Sequence, residues 1–322
     1  MRFKRKTENK KLDHKNKKLD HKNKKLDHEN KNFDHENNKF DHKRGINQRS
    51  NVNRLRISGR LRLSGSLAFV LLLIAIFGGF FLPYDPYKQD LSNTKARPSA
   101  SHILGTDRFG RDTFSRIILG ARTSILSTLL LVFLVMIIGT TIGLLAAWYG
   151  KWLDSLLMRI SDLFLAFPGL VFALAIAALL GGGTFHAVLS LALISWPKYA
   201  RLARSKTLSE KQNLYPDAAR LSGDSTAGIL FGHILPNIAG SILVTAVLDI
   251  GTMLMEIAGL SFLGLGAKPP IPEWGSMMND SRNLLATAPW VTLAPGFAIV
   301  ICVAVFRFFG DALRDFLEIG HP

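Results

Sequence analysis

The chain has 322 residues, of which 48% are hydrophobic and 20% are charged, and its formal net charge is +16. Its apolar residues come in blocks that are too long for the helices of a soluble protein, so the composition excludes an ordinary soluble domain and predicts an integral membrane protein. The single cysteine, Cys302, lies inside an apolar run, so no disulfide within the chain supports the fold.

The first predicted segment is a basic tail. Residues 1–62 hold 21 Lys and Arg against 8 Asp and Glu, a net charge of +13, whereas the remaining 260 residues carry only +3. The tail lies directly before an apolar run and shows no nucleic-acid fold signal, so we expect it to meet anionic membrane lipids and not nucleic acid. Its charged stretch is far too long for a cleavable signal peptide.

A seven-residue repeat fills the tail from Lys11 to Lys43. Each repeat supplies one apolar residue, whereas a coiled-coil seam needs two, so we predict a low-complexity, solvated segment. Each repeat also places a histidine beside an aspartate, and these histidines are His14, His21, His28, His35 and His42. Histidine with carboxylate could hold a metal ion such as nickel or zinc, but a slipped repeat produces the same pattern without a metal site.

Six apolar runs follow, each close to the roughly twenty residues that a bilayer demands. We expect spans at about 67–82, 125–148, 163–180, 185–196, 238–263 and 290–309. Pro83 ends the first span, Pro168 lies inside the third, and the fourth continues as a helix to Arg204. An arginine cluster before the first span holds the amino terminus inside, so an even number of spans places both termini in the cytoplasm.

The predicted loop between the first two spans contains GTDRFGRDTFSR, from Gly105 to Arg116. Asp112 is a good cap for a helix that starts at Thr113, and the glycines favour two tight turns. The residue types alone therefore predict a folded external cap. The positions that carry the pattern are Gly105, Thr106, Asp107, Gly110, Arg111 and Asp112.

The fifth predicted span carries two acidic residues, Asp249 and Glu256. They are seven residues apart and therefore lie on one face of a helix. Acidic side chains inside a membrane are costly, and they usually face a cavity or a partner helix. We expect both residues at a pore or at a subunit interface, with Glu256 towards the outer side.

A polar stretch separates the fourth and fifth spans and reads DAARLSGDSTAGILFGHILP, from Asp217 to Pro236. Pro216 suits the first turn of a helix, where the helix dipole also favours the negative charge of Asp217. Gly223 breaks this helix, and Ile229 starts a second amphipathic run that we expect Pro236 to stop. A helix, a glycine turn and a second helix fit a docking element for a partner protein or an ordinary re-entry loop.

This stretch resembles the coupling motif of the permease subunits of bacterial ABC importers, which is Glu-Ala-Ala, three residues, Gly, nine residues and Ile-x-Leu-Pro. The positions that the resemblance assigns to ATPase coupling are Asp217, Ala218, Ala219, Arg220, Gly223, His233 and Pro236. Asp217 replaces the usual glutamate, and His233 replaces an isoleucine. The ending HILPN and the segment GTDRFGRD are similar to sequences of the dipeptide, oligopeptide and nickel branch of this family. The resemblance to this branch extends over roughly residues 67–318.

The resemblance implies an all-α integral membrane protein with six transmembrane helices of the type I ABC-importer permease kind, a cytoplasmic coupling helix and a disordered basic amino-terminal tail. It divides the chain into a tail at 1–62, a first transmembrane helix with its external loop at 63–123, and a permease core at 124–322 with a coupling loop at 205–236. The expected location is the cytoplasmic membrane of a bacterium.

The resemblance also implies partners: a sister permease, two ATPase subunits and an extracellular or periplasmic substrate-binding protein. The sequence has no Walker A, HExxH or GxSxG pattern. We therefore expect a non-enzymatic subunit that binds no cofactor, with ATP and Mg²⁺ held by the ATPases. The chain would be the C-type permease of its pair and form half of a pore for peptides, nickel or metal chelates.

Two other classes of function compete with this interpretation. An ion-coupled secondary transporter would use Asp249 and Glu256 as a proton relay, and it would need inverted repeats that the sequence does not show. A membrane-embedded enzyme would need a nucleophile or a metal set inside the bilayer. His186 and Cys302 are isolated in the sequence, so packing roles suit them better.

Deleting residues 1–44 should leave transport intact, because the repeats cannot bury a core and the arginines from Arg49 onward supply the membrane anchor. The measurement compares uptake and membrane insertion of the full-length and shortened chains. Loss of uptake with normal insertion would contradict this prediction. If the histidines bind metal, only uptake or tolerance of nickel or zinc should change.

Overall fold

The computed structural model describes residues 59–319 of the chain. The repeats of the tail and their five histidines lie outside the described residues, so the predictions made for them stay predictions. Within the described part the chain is helical and forms no strand, apart from one isolated bridge between Thr106 and Asp112. The expected all-α architecture is confirmed for these residues.

Nine helices organise the described part of the chain. They are α1 (Gly59–Phe80), α2 (Thr113–Tyr149), α3 (Lys151–Leu165), α4 (Gly169–Leu179), α5 (Thr184–Glu210), α6 (Tyr215–Leu221), α7 (Leu235–Phe262), α8 (Trp274–Ser281) and α9 (Pro289–Ile319). The last three residues of α1 form a 3₁₀ turn, and a π-helical turn, Gly228–Ile234, leads directly into α7.

Four of the described helices are long and apolar enough to cross a membrane, namely α1, α2, α9 and α7 with its preceding π turn. They match the first, second, sixth and fifth predicted spans. The helix α5 is long, but it is not apolar enough to count as a candidate membrane span. It does confirm the predicted helix through Pro197 to Arg204. The count of six spans therefore stays a prediction.

The third predicted span, with Pro168 inside it, is broken at that proline. The helices α3 and α4 meet at an angle of 87° around Pro168, so together they form a broken span or a re-entrant element. Proline has no N–H for the helical ladder, and its ring disfavours helical backbone at the preceding residue. The break at Pro168 therefore follows from local sterics, whereas the size of the bend depends on packing around it.

The helices α2 and α5 form the most extensive contact of the bundle, and glycine allows their backbones to approach closely. A Cβ added at Gly139 would lie 2.5 Å from the Trp196 carbonyl oxygen, and one added at Gly143 would lie 2.2 Å from the Ala200 carbonyl oxygen. Two glycines four residues apart are typical of close helix packing in membranes, where van der Waals contact drives association. This contact places α5 at the centre, where it also packs on α4 and α7.

On the side of the bundle where α7 ends and α2 begins, a fully buried carboxyl group joins α8 to α2. Glu273 caps α8 by accepting hydrogen bonds from the backbone N–H groups of Gly275 and Ser276 at 3.0 and 2.8 Å. The hydroxyl of Ser124 in α2 donates to the same carboxyl at 3.2 Å, and the Trp274 indole donates to the Ile117 carbonyl at 3.0 Å. Burial raises the pKa of Glu273 above its usual value, while the hydrogen bonds oppose that rise.

Glu273→Ala should lower the free energy of unfolding by about 2–4 kcal/mol, because it removes a helix cap and leaves buried donors without an acceptor. Thermal unfolding of the purified protein in detergent measures this loss. Asp90→Ala is the matched control, since Asp90 caps the exposed turn Leu91–Asn93 and its loss should matter much less. Equal shifts for the two variants would show that burial of the Glu273 cap is unimportant.

Candidate functional site

The polar stretch between α5 and α7 begins with the short helix α6. Pro216 lies buried in its first turn, and Asp217 lies in the same turn with an exposed carboxylate. Both positions confirm the sequence prediction, because the first turn needs no proline N–H and favours an anion. The guanidinium of Arg220 lies 3.8 Å from the Asp217 carboxylate across one turn, a weak exposed ion pair.

A Schellman turn ends α6 at Gly223. The N–H of Gly223 donates to the Arg220 carbonyl and the N–H of Asp224 donates to the Ala219 carbonyl, each at 3.1 Å. Gly223 has a φ of +93°, which side-chain-bearing residues rarely adopt. A Cβ added there would meet nothing within 4 Å, so this chain requires glycine for its backbone conformation and not for space.

The carboxyl end of α2 holds α6 in place. The ammonium of Lys211 donates to the carbonyl oxygens of Ala147 and Trp148, each at 3.0 Å, which satisfies acceptors that α2 leaves open at its end. The guanidinium of Arg220 lies 5.2 Å from the centre of the Trp148 ring, within the range of a cation–π contact. The Arg220 contact thus ties α6 to α2, and the Lys211 hydrogen bonds tie the carboxyl end of α5, just before α6, to the same end of α2.

The π turn Gly228–Ile234 ties the other side of α6 to α7. It buries Ile229 and Ile234 and continues without a break into α7. The expectation that Pro236 stops this run is wrong, because the helix continues through Pro236 from the π turn into α7, and a local π turn can accommodate the missing N–H of a proline in a membrane helix. The His233 ring lies 3.0 Å from the Asp224 carboxylate and closes the turn from outside.

The outward side of α6 is apolar at its ends and polar between them. Leu214 is 87% exposed and Leu221 is 91% exposed, and Asp217 and Ala218 lie exposed between them. We call these four residues the α6 surface. Ala219, by contrast, packs against the protein's own core. Large apolar side chains in such exposed positions are typical of a surface that meets a partner.

The GTDRFGRD pattern forms a buried polar cluster that folds the segment before α2. The carboxylate of Asp107 accepts from the backbone N–H of Phe109 and Arg111 at 2.8 and 3.0 Å, and the Arg111 side chain donates to it at 2.6 Å. Arg116 lies 3.7 Å from the same carboxylate. Both arginines are buried, so their charges are compensated inside the protein.

The remaining positions of the pattern confirm the predicted cap and turns. Asp112 accepts from the backbone N–H of Ser115 at 2.8 Å as the cap of α2, and its other oxygen lies 2.9 Å from the His102 ring. Gly105 and Gly110 both have positive φ, and a Cβ at Gly110 would meet backbone of the preceding loop at 1.7 Å. The Thr106 hydroxyl accepts from a backbone N–H of the same loop at 2.9 Å.

The two acidic residues of α7 lie on one helix face, as the spacing predicts. Asp249 is buried and pairs with Lys198 of α5, whose ammonium lies 2.5 Å from Oδ1. Glu256 is half-buried, two turns further along α7. The sequence pattern singled out both acids but missed Lys198, although a cation at the midpoint of the neighbouring helix is a signal that could have found it.

His186 and Cys302, the two isolated candidates for enzymatic chemistry, pack within the helical bundle. The His186 ring contacts the Gly182 carbonyl at 2.7 Å in the first turn of α5, and Cys302 is buried in α9. Among residues 59–319, no group of His, Cys, Asp and Glu side chains is arranged to hold a metal ion.

Comparison with known proteins places these features in context. The family model described as binding-protein-dependent transport system inner membrane component matches residues 139–319, which include both the α6 surface and the acids of α7. The dipeptide transport system permease protein of Alkalihalophilus pseudofirmus is 43% identical over 266 residues, covering 83% of this chain and 86% of that protein. The glutathione transport system permease protein of Pectobacterium atrosepticum is 45% identical over 253 residues, covering 78% and 84%.

A similarity of fold extends to solved structures. A chain of the MetNI methionine ABC transporter, determined in inward-facing conformations, superimposes with a TM-score of 0.52. The two sequences are 19% identical, and the match covers 63% of this chain and 96% of that chain. At this identity the likeness concerns the arrangement of helices.

Proposed function

The chain belongs to the family of binding-protein-dependent transport system inner membrane components, the permeases of ABC importers, and we propose that it forms half of a pore for short peptides. As a member of this family it is a multi-pass membrane protein that does not itself catalyse a reaction. The family assignment does not support the alternative of an ion-coupled secondary transporter. A sister permease supplies the other half of the pore.

We propose that two ATPase subunits, which bind ATP and Mg²⁺, drive transport. This chain binds no cofactor. In this proposal the α6 surface is the docking element, and the α5–α7 connection and both termini lie in the cytoplasm. Support comes from the two exposed leucines, Leu214 and Leu221, which have no reason to be apolar on a helix that faces only water. An external binding protein delivers the substrate from the other side.

The mechanism uses α6 as a rigid lever. ATP-driven closure of the ATPases brings the two α6 helices of the permease pair together. Arg220 ties α6 to α2, Lys211 ties the end of α5 to the same helix, and the π turn joins α6 to α7. Displacement of α6 therefore moves whole helices instead of stretching a loop. The pore then alternates between inward-open and outward-open states, which is how the bound substrate is released across the membrane.

The proposed substrates are dipeptides and related short peptides such as glutathione, which the names of the two similar permeases specify. The experiment also includes nickel, because the sequence resembles the dipeptide, oligopeptide and nickel branch of these permeases. The experiment measures ATP-dependent uptake of a dipeptide, glutathione and nickel by the complete importer in proteoliposomes, with an ATPase-inactive complex as the control. ATP-dependent uptake of nickel alone would overturn the assignment of peptides.

Gly223→Trp should uncouple the importer. Tryptophan at a φ of +93° costs about 1–2 kcal/mol of backbone strain in the turn. Because an added Cβ meets no atom of this chain within 4 Å, we expect the bulky ring to meet a docked partner. We expect ATP hydrolysis stimulated by the loaded binding protein, and uptake with it, to fall by about ten-fold. The assay is performed on the reconstituted complex, together with co-purification of the ATPases.

Gly181→Trp is the matched control for this variant. Gly181 also has a positive φ, +83°, and also has open space around an added Cβ, but it lies in the turn between α4 and α5. Its substitution should leave stimulated hydrolysis near the unaltered level. If Gly223→Trp assembles and hydrolyses ATP like the unaltered complex, the α6 surface is not the docking element.

A further inference from the structure

A charged pair lies at the midpoint of two neighbouring helices. Lys198 is the fifteenth of 27 residues in α5, and Asp249 is the fifteenth of 28 residues in α7. At 1.5 Å per residue, each lies roughly 20 Å from both ends of its helix. Asp249 lies within a helix long and apolar enough to span a membrane, where an ion pair is costly unless it meets water, a ligand or a further partner.

The two members of the pair differ sharply in exposure. The Asp249 side chain is only 7% exposed, and its second oxygen, Oδ2, accepts no hydrogen bond from any of residues 59–319. The buried hydroxyl of Tyr199 lies close enough to interact with this carboxylate. Lys198 is 56% exposed, and one of its three donors is engaged by Asp249. The cation therefore remains accessible to a further partner.

Glu256 extends this pair into a longer charged strip. It lies on the same face of α7 as Asp249, and it is close enough to interact electrostatically with both Asp249 and Lys198. Seven residues of helix separate the two acids by about 10 Å along the axis. An extended peptide of two or three residues spans a similar length, at about 3.5 Å per residue.

We infer that Lys198, Asp249 and Glu256 form a site in the translocation path that binds the two charged ends of a short peptide. The ammonium of Lys198 pairs with the peptide's terminal carboxylate. Glu256 pairs with the terminal ammonium, while the buried carboxylate of Asp249 positions Lys198. This inference rests on the proposed function, because it assigns a peptide-binding role to residues of the same permease.

The first test compares a zwitterionic dipeptide with its amino-acetylated and carboxy-amidated forms. Each peptide is supplied at a concentration that saturates the binding protein, and the readout is peptide transported per ATP hydrolysed by the complete importer. Lys198→Met should reduce the preference for a free carboxylate about ten-fold and leave the preference for a free amine. Glu256→Gln should do the reverse, because each charge-assisted hydrogen bond is lost separately.

Two control variants accompany this test. Lys198→Arg keeps the positive charge and should retain the preference for the free carboxylate. Lys206→Met removes an exposed cation from the same helix eight residues away, and it should change neither preference. Transport that falls in Lys198→Met and Glu256→Gln with both preferences unchanged would overturn the site and indicate a contact with the sister permease instead.

A direct binding measurement covers the case in which the binding protein accepts no blocked peptide. Equilibrium dialysis of an isotopically labelled dipeptide against the purified complex, without binding protein or ATP, should show binding that weakens about ten-fold in Lys198→Met and in Glu256→Gln. Unchanged binding in both variants, or none by the unaltered complex, would contradict the site. If the unaltered importer moves nickel but no peptide, the proposed function fails, whereas peptide transport with unchanged preferences refutes only this inference.

Discussion

The close contact between α2 and α5 is the constraint on which the rest of the bundle depends. Gly139 and Gly143 let the backbone of α5 approach α2 until a single added methyl group would collide. In a membrane, where lipid is as apolar as the side chains, such contact and not the hydrophobic effect holds helices together. Because α2 also carries the folded cap at one end and the support for α6 at the other, this contact sets the positions of both.

The α6 surface and the charged strip of α5 and α7 are parts of one continuous segment. The helix α5 carries Lys198 and leads into α6, and α6 leads through the π turn into α7, which carries Asp249 and Glu256. A displacement of α6 would therefore act on both helices that hold the pair. In the proposed mechanism, the same motion that follows ATP binding would change the spacing of the groups that hold the peptide.

The GTDRFGRD segment before α2 shows how a recognisable pattern can be explained by folding alone. In GTDRFGRD, the carboxylates of Asp107 and Asp112 accept hydrogen bonds from backbone N–H groups and pair with buried cations or a histidine. The glycines occupy turns that need positive φ. Glu273 performs the same kind of task for α8, although no pattern drew attention to it. Buried carboxylates here hold loops in place, since an unpaired polar group would be costly.

The sequence by itself determined what depends on neighbouring residues: the apolar runs, the cap at Asp112, the first turn of α6 at Pro216 and the turn at Gly223. Each follows from local backbone sterics or from a hydrogen bond within a few residues. The prediction for Pro236 was wrong because a proline can end a helix or be accommodated by a local π turn, and only the three-dimensional path shows which applies. The tertiary structure alone decided the 87° bend and the pairing of Lys198 with Asp249, since contacts between residues 51 positions apart depend on how helices pack.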